Sequence, residues 1–388
     1  MTTNPKHTLE TDLEFADRHS KIAKTEDLSD DDEEQKPAAI HHLSMSQNPR
    51  IQRYLLAIEY IGTHFSGSQK QLNCRTVVGV LQDAFHKFIG QPVSISLSSR
   101  TDAGVHALSN VCHVDIERIS KRKPGEVLPP HEPAVVRRAV NHFLQKNEGD
   151  ISIIDVRCVP SDFHARYKAQ ERTYFYRLLS GPEPLSSFEK DRAWHVPEEL
   201  NLPAMQVIDT SLYGLDYKLK ILINRDNYFF IVMQEACRVL VGQHDFSSFR
   251  SAGCQAKSPI RTLDELTVTE VIPSPYFPSV MDRKQNEVSK CATDCHLNSV
   301  PSIEKAPSKE TLGFGQRRRH CCLVITARAR SFLYHQVRLL VGVLKAVGAG
   351  SLTISDVERI LNAKDVTAAS PMAPSCGLYL GEVKYDLP

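Results

Sequence analysis

The sequence has no long apolar run. Nowhere do about 18 uncharged apolar residues follow one another, which excludes a membrane-spanning helix. The first twenty residues lack the apolar centre of a secretory signal, and they are too acidic for an ordinary mitochondrial transit peptide. Cysteine is also scarce, because ten in 388 residues is below the density of a disulfide scaffold. We therefore expect reduced thiols.

Motifs for nucleotide cofactors are missing as well. The chain contains neither a P-loop nor the glycine fingerprint of a dinucleotide-binding fold. Cys291, Cys295 and His296, followed by Cys321 and Cys322, superficially offer metal ligands. Their spacing matches no usual zinc signature, so a metal protein is the weakest alternative. We expect no organic cofactor and no metal.

The composition is that of an ordinary globular protein, with 41% hydrophobic and 24% charged residues. The formal net charge of +1 conceals an asymmetry, because residues 1–48 carry eleven acidic and five basic side chains. That stretch has a net charge of −6, and residues 49–388 therefore have +7. Residues 1–48 are predicted to be a disordered acidic tail. The mildly basic remainder suggests an anionic partner.

Hydrophobic periodicity predicts strands and helices mixed in both halves of the chain. Strands are predicted at residues 54–61, 93–97, 111–116, 151–159, 172–179, 263–272, 321–328 and 378–385. Helices are predicted after Thr76, from Pro133, up to Val241, and at residues 332–347 and 354–361. The fold class is therefore α+β or mixed α/β, with two related halves around a sheet. We place these halves at residues 49–200 and 201–388.

Two segments fit this plan poorly. Residues 274–319 are polar and rich in Pro, Ser, Asn and Lys, which predicts a long disordered loop. Residues 207–234 interrupt what would be one helix between Ala204 and Val241, and the dipeptide Met-Gln occurs at both of their edges. This surplus segment is either a retained in-frame intron or a surface insertion outside the sheet core.

One polar loop carries the chemistry. It reads SSRTDAGVHALSN over residues 98–110 and places Asp102 between Thr101 and the small residues Ala103 and Gly104. Small neighbours let another chain approach the carboxylate closely. The structural alternative is a turn in which Asp102 caps backbone amides.

This loop resembles the catalytic motif of the TruA-type tRNA pseudouridine synthases. Further blocks that resemble the family follow in its order, at residues 162–167, 172–176, 242–249, 331–338 and 377–380. The strongest likeness is to an animal branch, the tRNA pseudouridine synthase-like 1 proteins, which share the loop sequence. One departure concerns the first strand's end, where bacterial members have Gly-Trp-Gln and this chain has Gly67-Ser68-Gln69. That departure puts in doubt any substrate contact made by the missing tryptophan.

The resemblance implies a TruA-like fold with a mostly antiparallel sheet and a central basic cleft. It also implies a homodimer that converts uridine to pseudouridine in tRNA without a cofactor. Asp102 is then the nucleophile, and Arg338 is the guanidinium that keeps it ionised. Tyr174 is the aromatic ring that stacks on the flipped uracil. The remaining substrate contacts that the resemblance implies are Arg100, His106, Arg166 and Leu378.

Several alternatives stay open. The chain is a catalyst, or it is a non-catalytic RNA-binding or assembly protein that kept the fold. His106 is either a substrate contact or a hydrogen-bonding residue of the loop, and Arg100 either faces the RNA or forms a salt bridge within the loop. The sequence names neither the RNA nor the uridine. It also leaves the compartment open, because the animal relatives are associated with mitochondria whereas the acidic N-terminus favours cytoplasm or nucleus.

Overall fold

The computed structural model describes residues 50–198, 225–271 and 320–387, apart from positions 124 and 370. This part of the chain contains ten strands and five helices. The strands are β1 (Ile51–Tyr60), β2 (Ile95–Leu97), β3 (His106–Glu117), β4 (Ile151–Val159), β5 (Ala169–Ser180), β6 (Trp194–Val196), β7 (Gly242–Asp245), β8 (Ile260–Val271), β9 (Cys321–Ala329) and β10 (Leu378–Tyr385). The helices are α1 (Val77–Ile89), α2 (Pro133–Asn147), α3 (Arg225–Leu240), α4 (Gln336–Gly348) and α5 (Ile354–Ala363).

All ten strands form one sheet, in the order β4–β1–β3–β10–β5–β9–β8–β7, with β2 paired to β3 and β6 paired to β5. The pairs β10–β3 and β5–β6 are parallel, and the other pairs are antiparallel. The C-terminal strand β10 lies between β3 and β5 and so joins the two parts of the sheet. This topology confirms the predicted mixed α/β class with a mostly antiparallel sheet.

The helices pack on the sheet through their apolar faces. Helix α2 packs on β4 and on α1, while α3 packs on β8, α4 and α5. Alternate residues of β1 point to one face of the sheet, and Tyr54, Leu56 and Ile58 on that face are fully buried. Helix α1 begins as predicted, because the Thr76 side chain caps it by accepting a hydrogen bond from the Gly79 amide at 3.2 Å.

Two predicted boundaries near the site are wrong. The helix expected at 332–347 begins only at Gln336, because His335 has a left-handed backbone (φ 62°) that a helix does not accommodate. Strand β3 begins at His106 rather than at Val111, since its first residues continue the pairing with β1 and β10. The last five residues of the SSRTDAGVHALSN motif therefore belong to a strand.

The surplus segment lies partly inside the described residues. Its last ten residues, 225–234, form the beginning of α3, which continues without a break to Leu240. Met233 is fully buried in the core, and the Gln234 side-chain amide donates to the Val268 carbonyl. The expectation of an insertion outside the core is therefore wrong for Met233. The acidic tail, residues 207–224, the loop 274–319 and the boundary at residue 200 lie outside the described residues.

Candidate active site

Asp102 lies in a loop (residues 98–105) between β2 and β3. Hydrogen bonds to the segment before α1 hold the backbone of this loop in place. Ser68 donates its amide hydrogen to the Thr101 carbonyl at 2.9 Å, and the Thr101 amide donates to the Ser68 Oγ at 2.8 Å. Ser68 and Thr101 are both buried. Position 68, where bacterial relatives were expected to have tryptophan, thus holds the loop from inside the protein instead of lining an open surface.

A second set of buried polar groups holds the start of the loop. Asn110 on β3 donates to the Ser99 carbonyl and to the Tyr60 hydroxyl, both at 3.1 Å. The Tyr60 hydroxyl is also 2.8 Å from the Thr101 Oγ1, and the Ser98 hydroxyl donates to the Asn110 Oδ1 at 3.0 Å. Because buried polar groups cost free energy when unpaired, this closed set restrains the loop to one conformation.

Gly104 allows the loop to turn directly after Asp102. Its φ of 79° lies in the left-handed region that favours glycine. A Cβ at this position would come within 2.6 Å of the Ser375 Oγ. The same turn brings the Val105 amide to the Asp102 carbonyl at 3.2 Å. The positive φ and the nearby Ser375 explain why glycine is required at position 104.

Two basic side chains face the Asp102 carboxylate. His335 Nε2 lies 3.2 Å and Arg338 Nη1 lies 3.6 Å from the same oxygen, Oδ2. The side chain of Asp102 is 31% exposed, while those of His335 and Arg338 are 13% and 12% exposed. Arg338 is oriented by a hydrogen bond from its Nε to the Ala373 carbonyl at 2.8 Å. The carboxylate is thus open on one side and paired with bases on the other.

His335 lies within the block at residues 331–338, but no sequence pattern indicated a role for it. It precedes α4, one helical turn before Arg338, so both side chains point to the same region. Its Nδ1 lies 2.8 Å from the Ser251 Oγ, in a loop that follows β7. The exposed Tyr334 ring stacks on the imidazole with 3.7 Å between ring centroids.

Tyr174 lies on β5, between β10 and β9, and only 8% of it is exposed. Its ring meets the Phe332 ring edge to face at 5.2 Å. Burial raises the pKa of the Tyr174 phenol, while the Arg172 guanidinium and a hydrogen bond with Ser99 act in the opposite direction. The phenol therefore stays protonated at neutral pH and is able to donate a hydrogen bond.

Arg172 connects the Asp102 loop to the neighbouring segments, a role that the sequence did not indicate. Its Nε donates to the Ser99 Oγ at 2.8 Å, and its Nη2 donates to the Ser98 carbonyl at 3.0 Å and to the Arg166 carbonyl at 3.1 Å. Its Nη1 donates to the Arg330 carbonyl. Burial lowers the pKa of Arg172, but its ordinary value is so high that the group remains charged.

The four other predicted substrate contacts differ in accessibility. Arg100 is exposed, and Arg166 is partly buried with its guanidinium 5.9 Å from the Tyr167 ring centroid. Leu378 is 5% exposed and lies opposite Tyr176 in the sheet. Arg100 and Arg166 are therefore accessible enough to contact an RNA, whereas Leu378 is buried within the sheet.

His106 is buried, and protein groups occupy both of its ring nitrogens. Its Nδ1 accepts from the Gly62 amide at 3.0 Å, and its Nε2 lies 3.1 Å from the Asp191 carbonyl and 3.2 Å from the Cys376 carbonyl. Its ring stacks on Tyr379 at 4.6 Å. Burial lowers the pKa of His106, which keeps it neutral. This environment favours the alternative in which His106 is a hydrogen-bonding structural residue.

Over the described part of the chain, no three His, Cys, Asp or Glu residues form a group that suits a metal ion. Cys291, Cys295 and His296 lie outside it. Cys321 is exposed and Cys322 is buried, so their side chains do not face a common space. None of the described helices is long and apolar enough to cross a membrane.

The sequence profile of a protein family described as tRNA pseudouridine synthase matches residues 56–168 and 236–386. The chain belongs to the tRNA pseudouridine synthase family. Asp102, His335 and Arg338 fall within the matched ranges, whereas Tyr174 and the surplus segment 207–234 fall in the gap between them. The second range resumes two residues after that segment ends.

Curated relatives in this family match most of this chain over nearly their whole length. A protein named tRNA pseudouridine synthase A from Bartonella tribocorum is 34% identical over 335 residues, which are 86% of this chain and 100% of that relative. One of the same name from Parvibaculum lavamentivorans is 35% identical over 334 residues, 86% of this chain and 99% of that relative. The likeness thus extends over most of the chain rather than over a single motif.

Proposed function

We propose that this protein converts uridine to pseudouridine in tRNA, and that it belongs to the animal branch with the same loop sequence. The observation that carries the proposal is the pairing of Asp102 with His335 and Arg338, at 3.2 Å and 3.6 Å, on a fixed loop. Family membership and the names of the bacterial relatives support the same reaction.

The reaction balances without any cofactor. The bond from C1′ of the ribose to N1 of the uracil breaks, and a bond from C1′ to C5 forms. The proton on C5 is released and N1 regains one, so product and substrate have the same composition and oxidation state. Asp102 acts as the ionised nucleophile, because a carboxylate forms a covalent intermediate only in its charged form. Arg338 favours that form.

The uridine must leave the base stack before the carboxylate can reach it, at a cost of a few kcal/mol. We propose that Tyr174 stacks on the flipped uracil and that Arg100, which is exposed on the same loop, fills the space it leaves. Arg166 adds a charge for the RNA backbone, and phosphate contacts of this kind contribute affinity rather than sequence preference. Leu378, which lies opposite Tyr176 in the sheet, is the remaining substrate contact that the resemblance implies.

We propose further that the RNA enters a basic cleft between the halves 49–200 and 201–388, and that two copies of the chain form the active homodimer. The resemblance to the family supports both statements. Light scattering on the purified protein tests the second one, since a monomeric mass at micromolar concentration would contradict it. The same measurement with tRNA added gives the stoichiometry of the complex.

The deciding experiment maps pseudouridine in cellular RNA with and without this protein and then repeats the reaction with the purified chain. We expect specific uridines in tRNA to lose their modification in cells without the protein and to regain it in vitro. If the purified protein binds tRNA but modifies no uridine, it is the non-catalytic RNA-binding protein of the alternative reading.

A further inference from the structure

Three polar side chains from distant parts of the chain form a line that ends at the nucleophile. Ser251 Oγ is 2.8 Å from His335 Nδ1, and His335 Nε2 is 3.2 Å from Asp102 Oδ2. The reaction proposed above needs an ionised Asp102 and a cation beside it, and Arg338 already supplies that cation. The imidazole therefore requires a separate explanation.

The imidazole and the guanidinium approach the same carboxylate oxygen. The nearest contact of each group is to Oδ2, and the contact of His335 is the shorter by 0.4 Å. A carboxylate rotates freely about its last bond unless its two oxygens meet different surroundings. The imidazole and the guanidinium, both within 3.6 Å of Oδ2, restrict that rotation.

The protein holds His335 in place at a conformational cost. Its backbone lies in the left-handed region, with φ 62° and ψ 8°, where a non-glycine residue is uncommon and strain is characteristic of functional sites. The Tyr334 ring covers one face of the imidazole at 3.7 Å, and the Tyr334 carbonyl accepts from the Ser251 amide at 3.2 Å. The imidazole is thus restrained by its backbone, by a stacked ring and by Ser251.

The contacts of the two ring nitrogens differ in kind. Nδ1 lies at hydrogen-bond distance, 2.8 Å, from the Ser251 hydroxyl, which is able to donate or to accept. Nε2 faces the Asp102 carboxylate at an ion-pair distance of 3.2 Å. Ser251 therefore orients the ring so that Nε2 points to Asp102.

We infer that His335, oriented by Ser251, is a positioning residue that restrains the Asp102 carboxylate and so holds it in one orientation toward the ribose of the uridine. This inference rests on the proposed function. His335 itself does not contact the reacting atoms.

Two substitutions of His335 distinguish the role of its Nδ1 from the role of its Nε2. The amide of His335→Asn resembles the Nδ1 side, which faces Ser251, and asparagine tolerates the left-handed backbone. The longer amide of His335→Gln reaches the Nε2 position and is able to donate to Asp102. Ser251→Ala removes only the hydroxyl that orients the ring, and His86→Ala, at an exposed position on α1, is the matched control.

The measurement is the single-turnover rate of pseudouridine formation on a tRNA transcript, alongside the dissociation constant for tRNA and the melting temperature. We expect His335→Asn to lower the rate on the order of 10²-fold, as a small misplacement of a reacting group does. Its tRNA affinity should stay within about twofold, because phosphate contacts lie elsewhere. His335→Gln should recover most of the rate, Ser251→Ala should lose less than His335→Asn, and His86→Ala should match the wild type.

A wild-type rate in His335→Asn would overturn the inference, and so would a His335→Gln rate no higher than that of His335→Asn when both melt like the wild type. Equal losses of rate and tRNA affinity would make His335 an RNA contact instead. Failure of the proposed function is distinguishable, because the wild-type protein would then form no pseudouridine at all.

Discussion

Ser68 and Thr101 hold each other through a reciprocal pair of backbone and side-chain hydrogen bonds, at 2.9 Å and 2.8 Å, although 33 residues separate them. Ser68 lies in the loop that leads into α1, and Thr101 directly precedes Asp102. The bonds are buried, so water does not compete for them. The position of Asp102 is therefore determined partly by the segment Gly67-Ser68-Gln69.

The first prediction concerns Ser68→Ala. The substitution leaves the buried Thr101 amide without its acceptor, which typically costs about 1–3 kcal/mol in the free energy of unfolding. We expect that loss in chemical denaturation and a lower kcat, with tRNA affinity unchanged. Ser66→Ala, at an exposed position in the same loop, is the matched control. A kcat equal to that of the wild type would show that the loop keeps its position without this bond.

Local patterns predicted much of the fold. The bounds of β4 and β10 follow from their alternating or continuous apolar residues, and Thr76 was identified as a helix cap because it precedes an apolar stripe of helical period. The start of α4 was placed four residues early, because Phe332 and Leu333 continue the apolar period while the left-handed backbone of His335 has no such signal.

The site was less accessible from the sequence. Asp102, Tyr174 and Arg338 were assigned by family resemblance, since nothing local brings residues so distant in sequence to one place. The roles of Ser68, Arg172, Ser251 and His335 depend on which segments the sheet brings together. Serine and histidine in polar loops have no periodic pattern that would indicate a buried contact.

The second prediction is that Asp102→Asn binds tRNA but does not modify it. Asparagine keeps the size of the side chain and removes its negative charge. We expect turnover to fall on the order of 10⁴-fold or more, as when a covalent nucleophile is removed, while the dissociation constant and its salt dependence change little. Both quantities are to be measured on one tRNA. Residual turnover near the wild-type level would exclude Asp102 as nucleophile, and lost binding would make it a structural residue.

The third prediction concerns Arg338→Met, which removes the cation and leaves His335 as the remaining partner of Asp102. Because Asp102 is 31% exposed, the loss of stability should be below the about 3–5 kcal/mol of a fully buried pair. We expect a folded protein with low turnover at neutral pH, because the carboxylate loses the cation that faces it. Arg338→Lys, which keeps the charge, should be more active than Arg338→Met. Normal turnover in Arg338→Met at pH 7 would mean that His335 alone suffices.

The fourth prediction is that neither a metal nor an organic cofactor takes part in the reaction. The isomerisation is balanced without an oxidant, reductant or energy carrier. We expect activity to survive extensive dialysis and a zinc-selective chelator, in a magnesium-containing buffer that keeps the tRNA folded. Loss of activity that added zinc restores would contradict this, and the cysteines of the segment 272–319 would then be the first ligands to replace.

The last prediction concerns the surplus segment 207–234. In the full chain Met233 fills the core, and Gln234 donates to the Val268 carbonyl, directly before Glu235 in α3. Removal of the segment joins Met205-Gln206 to Glu235 and so restores the same dipeptide at the same helical positions. We therefore expect the shortened protein to fold, to melt at least as high as the full chain and to form pseudouridine. In the shortened chain Met205→Ala should cost about 2–5 kcal/mol of stability, as for a buried methionine. Sequencing of transcripts should detect the shorter form if the segment is a retained intron. A shortened protein that fails to fold would show instead that residues 225–232 are a required part of α3.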